Sequence, residues 1–374
     1  MTGKLLGFIV VILVVSLIVL NLGFFGGFRK ETPDFFVGIS AAYADVDAIK
    51  ASIDKASSYT NVFVIGSTGI SDDREKLFDV CQYLVDKSMF FIIYSNIHYD
   101  LNIMGDVTKK FGDYFLGLYF GDEAGGKTLD KFELRWVNDA DNISDAADQF
   151  VYHLHYFLNT NEVNGEPIGF APSDFPLFSA DYALYWFDYL AGYDTIFAEF
   201  GWNYSRQLNV ALDRGAATML ARDWGVIIAW TFNGPPYIES GPDLFNDLVY
   251  AYDNGAKYVV IFDSDENYTS SILKEEHYQA LEQFWDYIQE NPQNKDVSRV
   301  AFVLPKDFGY GFRGPDDKIW GLWEADATSL QISYHLGEFL RQYGTELDVI
   351  YDDNLVVDQT YRKYIFWNGT IIEP

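Results

Sequence analysis

The 374 residues carry a formal net charge of -29, with 55 acidic against 26 basic side chains, and such a surface repels the phosphate backbone that nucleic-acid binding must neutralise. Nucleic acid is therefore excluded as a partner, whereas 49% hydrophobic content supplies a core sufficient for a barrel-sized domain plus a smaller unit. The one cysteine, Cys81, excludes an intramolecular disulfide framework, and its setting KLFDVCQYLV reads as the buried face of a helix.

The first element is LLGFIVVILVVSLIVLNLGFFGGF, Leu5 to Phe28, 24 residues without a charge. At about 1.5 Å per residue it can cross a hydrocarbon core of roughly 30 Å. No A-x-A pattern follows, so an uncleaved transmembrane anchor over residues 1–30 is preferred to a cleaved signal peptide. Lys4 on one side and Arg29 with Lys30 on the other leave the orientation open by charge alone. The acidic body and the secretory-type start point to a single-pass protein of the cell membrane whose soluble part faces outside. Sequons at Asn142, Asn203, Asn267 and Asn368 are compatible with an external surface.

From residue 34 to about 290, short apolar runs alternate with longer amphipathic ones, the pattern of repeated βα units. Strands are expected at FFVGIS (35–40), VFVIGS (62–67), FFIIYS (90–95), FLGLYF (115–120), PIGFA (167–171), TIFAEF (195–200), VIIAWTF (226–232) and YVVIFD (258–263). Most are apolar on both faces, as parallel strands between a core and covering helices must be. Eight such strands with intervening helices predict a (β/α)8 TIM barrel. After the polar NPQNKD, residues 297–374 read as a small C-terminal α/β domain, with strands at VAFVLP, ELDVIYD and KYIFWNG and a helix at SLQISYHLGEFLRQYG.

In such a barrel the strand C-terminal ends and the loops after them build the active site. Those ends carry Ser40 and Tyr43, Ser67 and Thr68, Tyr94, Asn96 and His98, then Tyr119, Asp122 and Glu123. Later ends carry Glu199, Trp202 and Asn203, Trp230 and Asn233, then Asp263, Asp265 and Glu266. Cleaving a glycosidic bond needs two carboxyl groups, one giving a proton to the leaving oxygen and one attacking or activating water. Glu123 and Glu199 are the expected catalytic pair, Glu123 as acid and base and Glu199 as nucleophile or water activator, with their carboxyls roughly 5 to 10 Å apart. If Tyr119 points inward, the even spacing Tyr119, Gly121, Glu123 points Glu123 inward too. Asp122, Tyr94, Asn96, Tyr119, Trp202, Trp230, Asn233, Asp263 and Asp265 are the expected substrate-binding residues, the rim aromatics because sugar rings stack on them. Against these readings stand two structural ones: Asp122 and Glu123 capping a following helix, and Glu199 in an ion pair with Arg206 or Arg222.

The histidines include no HExxH, and His153 and His155 face different sides of a helix, so no metal is expected. No GxGxxG, P-loop or G-x-S-x-G motif stands in the required setting, so no cofactor is expected either.

Through GLYFGDEAGG and IFAEFGW, residues 34–290 resemble the barrel glycoside hydrolases as a broad superfamily. In many such families the acid/base Glu follows an Asn on strand four and the nucleophile sits on strand seven. Here strand four carries Gly121-Asp122-Glu123, and strand seven shows Trp230 with no carboxylate. A pairing of strands four and six resembles the α-galactosidase type of barrel, which typically uses Asp. The C-terminal unit resembles the small α/β domain that often follows the barrel in β-galactosidase-type enzymes. The resemblance implies a glycoside hydrolase acting on a poly- or oligosaccharide, which the N-terminal anchor would hold at the outer face of the membrane. The alternatives are a non-catalytic carbohydrate-binding or envelope protein on the same scaffold, and a structural surface protein with no ligand.

Overall fold

The computed structural model describes residues 32–374 except 97–98, 132–135, 161, 164–165, 168–174, 295–298 and 315. The expected anchor, Leu5 to Phe28, lies outside the described residues. Among those residues no helix is long and apolar enough to cross a membrane. Asp34–Pro374 make one compact unit.

Eight strands close into a barrel: β1 (Phe36–Ala41), β2 (Val62–Ile65), β3 (Phe90–Ser95), β4 (Phe115–Phe120), β5 (Leu177–Asp181), β6 (Thr195–Phe200), β7 (Asp223–Ile228) and β8 (Tyr258–Asp263). Each pairs in parallel with its sequence neighbours, and β8 returns to β1 through Phe36↔Tyr258 to Ala41↔Asp263. The helices are α1 (Val46–Ala56), α2 (Arg74–Asp86), α3 (Leu101–Phe111), α4 (Ala124–Leu129), α5 (Ile143–Asn159), α6 (Tyr185–Ala191), α7 (Arg206–Leu220), α8 (Gly241–Asp253) and α9 (Glu275–Glu290). Asp45, Asp73, Asp100, Asn142, Ser205 and Ser240 each accept a backbone N–H at the start of a helix, contributing about 1 kcal/mol apiece.

The fifth strand corrects the sequence reading. PIGFA is not the barrel strand: Glu166–Pro167 pairs antiparallel with Glu162–Val163 in a small hairpin, and the rest of that run lies outside the described residues. The place between β4 and β6 is taken by LFSAD, which keeps the count at eight. Both runs are short and apolar beside proline, so period and composition could not separate them.

Alternate strand residues fill the barrel: Phe36, Val62, Val64, Phe90, Ile92, Tyr119, Phe178, Ala180, Phe197, Ile227, Tyr258 and Val260 form one buried cluster. Residues two further along, such as Tyr94, Glu199 and Phe262, then stand at the C-terminal mouth above this plug.

A second sheet is built from β9 (Val300–Leu304), β10 (Leu347–Tyr351), β11 (Lys363–Phe366) and β12 (Ile371–Ile372), in the order β10-β9-β11-β12, with α10 (Ala327–Tyr343) between β9 and β10. It packs on α7, where a Cβ at Gly215 would sit 2.4 Å from the Val349 carbonyl oxygen. Beside that contact Arg214 Nε meets Asp348 Oδ1 at 2.7 Å, both side chains buried, and its other nitrogens donate to Asn254, Thr345 and Leu347.

Candidate active site

The chain leaves β4 through a turn that only particular residues can make. Gly121 has φ +72, and Glu123, a non-glycine, has φ +54, a left-handed conformation that costs on the order of 1 kcal/mol and survives only where its surroundings enforce it. The enforcement comes from β5. Glu123 N donates to the Ala180 carbonyl at 2.9 Å. Asp181 accepts from Gly125 N at 2.6 Å, Gly126 N at 2.8 Å, Tyr182 N at 2.7 Å and Ala183 N at 3.1 Å. The paired glycines follow from this approach: a Cβ at Gly126 would lie 2.1 Å from the Tyr182 ring, and one at Gly125 2.4 Å from the Ala183 carbonyl oxygen. A short helix, α4, does follow Glu123, but Glu123 makes no side-chain cap to it, and Asp181 holds its first N–H groups instead. Its carboxylate is thereby left for other partners.

Glu199, at 6% exposure, stands on β6 one inward position beyond Phe197. Burial, then the Glu123 and Asp122 charges, push its carboxyl well above the usual carboxylate range. The ion-pair alternative fails for both arginines: Arg206 binds Asp247 and Glu239, and Arg222 binds Asp194.

Lys127 is the cation beside this group, 3.1 Å from Glu123 Oε2 and 3.9 Å from Asp122 Oδ2, with its Nζ also donating to the Asp122 carbonyl. Burial pulls its ammonium down, but Asp122 and Glu123 outweigh it and hold it above its ordinary value. Asp122 accepts from Tyr119 Oη at 2.7 Å; burial and then Glu123 push its carboxyl up to about 7. Burial raises Asp181 to about 6 against the pull of its backbone donors.

Asp122, Tyr94, Asn96 and Tyr119 line a cleft of about 390 Å³ with Ser40, Ser67, Thr68 and Tyr268. Four of the expected substrate residues are thus brought together. Trp202, Trp230 and Asn233 do not line it. The Trp230 indole N–H donates to the Ser264 carbonyl at 2.9 Å and its ring packs by Tyr237 and Phe262, while Trp202 N donates to the Trp230 carbonyl and Asn233 is exposed.

Asp263 and Asp265 require correction. Asp263 lies on the outward phase of β8 with no exposure and accepts from Tyr43 Oη, Ser271 Oγ, Ile272 N and Leu273 N. Asp265 accepts from Thr269 N, Thr269 Oγ1 and Ser270 Oγ, which lower it to about 2. Both fold the loop after β8 instead of facing the cleft.

Sequence reasoning missed Asp181, Lys127 and Tyr268. PLFSAD ends like FGD and VVIFD, an apolar strand closing on Asp, and that recurrence was the signal for Asp181. Lys127 stands four residues after Glu123, the spacing of helix ion pairs. Nothing in the local sequence around Tyr268 placed it at the cleft. Among the described residues no three His, Cys, Asp or Glu side chains are grouped to hold a metal ion.

Strand order and closure define a (β/α)8 barrel with carboxyl groups gathered at its C-terminal mouth. The chain superposes on the β-galactosidase of psychrophilic Marinomonas ef1 with a TM-score of 0.53 and 11% identity, over 89% of this chain and 72% of that one. On the polyextremophilic β-galactosidase of the Antarctic haloarchaeon Halorubrum lacusprofundi the TM-score is 0.54 at 10% identity, over 89% and 69%. In both cases the matched share takes in residues beyond the barrel. No family profile and no curated protein sequence matches the chain. Identities this low establish the fold and leave the chemistry to the site itself.

Proposed function

We propose that the protein is a glycoside hydrolase in which Glu199 is the proton donor and Glu123 the nucleophile or water-activating base. One observation carries this reading: the β4 and β6 ends bring two carboxyls of opposite setting to the C-terminal mouth, Glu199 buried with its acidity suppressed and Glu123 3.1 Å from the Lys127 ammonium. This division reverses the roles expected from sequence. A glycosidic oxygen beside Glu199 would accept its proton; the C–O bond breaks as that proton is transferred, and Glu123 or a water it deprotonates attacks the anomeric carbon. Asp122, facing the cleft, and the Tyr94 and Tyr119 rings supply contacts to the sugar. The full chain in detergent, screened against a panel of poly- and oligosaccharides for new reducing ends, tests this. Release that vanishes in Glu199→Gln and Glu123→Gln supports it, and release unchanged in both variants refutes it.

The cleft favours a second reading, a carbohydrate-binding protein that does not cleave, because Asp122, Tyr94, Asn96 and Tyr119 line it while neither Glu123 nor Glu199 does. Saturable sugar binding without turnover of any glycoside in the panel would decide for it. The uncharged run of 24 residues from Leu5 supports placing the protein in the cell membrane with the barrel outside. Protease accessibility of the barrel on intact cells tests that placement.

A further inference from the structure

The cleft beside Asp122 has aromatic walls and a single sign of charge. Tyr94, Tyr119, Phe262 and Tyr268 contribute rings to its lining, and among the described residues that line it Asp122 alone is a carboxylate, with no lysine or arginine to answer it. The Tyr94 and Tyr119 rings meet nearly at right angles, 78° apart with centroids separated by 5.2 Å, and form a corner. Tyr268 stands 56% exposed on the turn that Asp265 folds, where its N–H donates to the Asp265 carbonyl at 3.1 Å and φ is +56. Asp122 accepts from Tyr119 Oη at 2.7 Å through Oδ1, while its Oδ2 lies 3.9 Å from Lys127 Nζ, beyond hydrogen-bond distance, and is left for a donor in the cleft. Lys127 does not line the cleft: Glu123 Oε2 at 3.1 Å and the Asp122 carbonyl hold its ammonium.

Electron-rich ring faces attract a cation, and a carboxylate oxygen takes a charge-assisted hydrogen bond from one. The net charge of -29 adds a field that draws cations toward the protein and repels anions. We propose that the cleft binds an amino sugar, its ammonium seated between Asp122 Oδ2 and the Tyr94, Tyr119 and Tyr268 rings, with Ser67 and Asn96 meeting its hydroxyls. This names the substrate class of the site described above and rests on the carbohydrate part of that reading. Neutral and N-acetylated sugars lack the charge that the cleft answers. Uronic and sulfated sugars bring the opposite one.

Saturation-transfer NMR titrations of the full chain in detergent at about pH 7 compare glucosamine and galactosamine with glucose, galactose, the two N-acetylated amino sugars and tetramethylammonium. Each amino sugar should bind about tenfold or more tightly than its neutral counterpart. Asp122→Asn, which keeps an acceptor for Tyr119, should abolish that preference, and Tyr268→Ala should weaken amino-sugar binding about three- to tenfold. Because the Tyr268 ring is exposed, its removal is read on a folded protein even if Asp122→Asn fails to fold. Equal affinity for neutral and amino sugars, a preference that survives Asp122→Asn, or tetramethylammonium binding as tightly as the amino sugars overturns the proposal. Release of reducing ends from neutral glycosides with no such preference sinks this inference alone and leaves the hydrolase reading standing. Preference for the amine without cleavage of any glycoside supports the inference and ends the hydrolase reading, and absence of binding by every sugar refutes both.

Discussion

Two places on one rim collect carboxylates and treat them in opposite ways. At the end of β8, Asp263 and Asp265 have their oxygens occupied by hydroxyl and backbone donors from the next few residues and from Tyr43. At the ends of β4 and β6, Asp122, Glu123 and Glu199 crowd against one another with one lysine beside them. A carboxylate supplied with local donors builds a loop. Carboxyls supplied with each other cost stability and hold protons whose release is finely poised, the condition under which acid and base chemistry becomes available near neutral pH. Position at a strand end therefore does not identify a reacting group; the ownership of its hydrogen bonds does.

The largest test of this contrast is replacement of the crowded carboxyls. Glu199→Gln and Glu123→Gln should each lower turnover by about 10²- to 10⁴-fold, and Glu199→Gln should also raise the thermal midpoint by taking a buried ionisable carboxyl away from its acidic neighbours. A lower midpoint for Glu199→Gln in a calorimetric scan would break the comparison. Asp263→Ala should behave in the opposite sense. It strands buried donors around Tyr43 and Ile272, costing about 3 kcal/mol in denaturant unfolding while leaving kcat within about twofold. A smaller loss, about 1 to 3 kcal/mol, is expected of Gly126→Ala, whose new methyl would press on the Tyr182 ring. Since that ring adjoins the Asp181 turn, turnover should fall with stability; a stable, fully active variant would show that the turn does not position Glu123.

The smallest effect is in pH dependence, and it separates the two places by sign. Asp122 at about 7 and Asp181 at about 6 lie above the ordinary 3.8, so the folded chain binds those protons more tightly than the unfolded one. Their contribution is complete below pH 3.8 and is lost as pH rises through about 6 and 7. Asp265, lowered to about 2, runs the other way: its contribution is present above 3.8 and is lost as pH falls through 2. Unfolding midpoints followed from pH 2 to 9 should show both slopes, the upper reduced by Asp122→Asn and the lower by Asp265→Asn. An upper slope unchanged in Asp122→Asn would remove Asp122 from the crowded group.

Much of the barrel was legible because parallel strands between core and helices are uniformly apolar. FFIIYS, FLGLYF, TIFAEF and YVVIFD coincide with β3, β4, β6 and β8 residue for residue. The fifth strand was not, since PIGFA and LFSAD satisfy the same rule and only closure of the sheet chooses between them. With the wrong strand went Asp181, the residue that explains why Ala-Gly-Gly follows Asp122-Glu123. Glu199 was legible because a carboxylate inside TIFAEF has no apolar explanation. The fates of Asp263 and Asp265 were not, because their donors are serines, threonines and backbone groups that no local pattern marks as aimed at them.

The bulge in β4 decides which side chains the mouth receives. Phe91 pairs with Phe115 but Ile92 with Gly117, and across that skipped residue Leu116 and Tyr119 both face the interior while Phe115, Leu118 and Phe120 face the helices. Gly117, at φ +151 with the Pro176 carbonyl oxygen where a Cβ would stand, is the point of slippage. A strand is read in steps of two, so one supernumerary residue acts as a frameshift. Upstream of Gly117 the even positions speak to the barrel, and downstream the odd ones do. Tyr119 belongs to this second frame: excising one residue at the bulge would straighten the strand and leave Tyr119 facing the barrel, whereas pairing β4 without the skip would turn Leu118 and Phe120 inward and send the tyrosine to the helices.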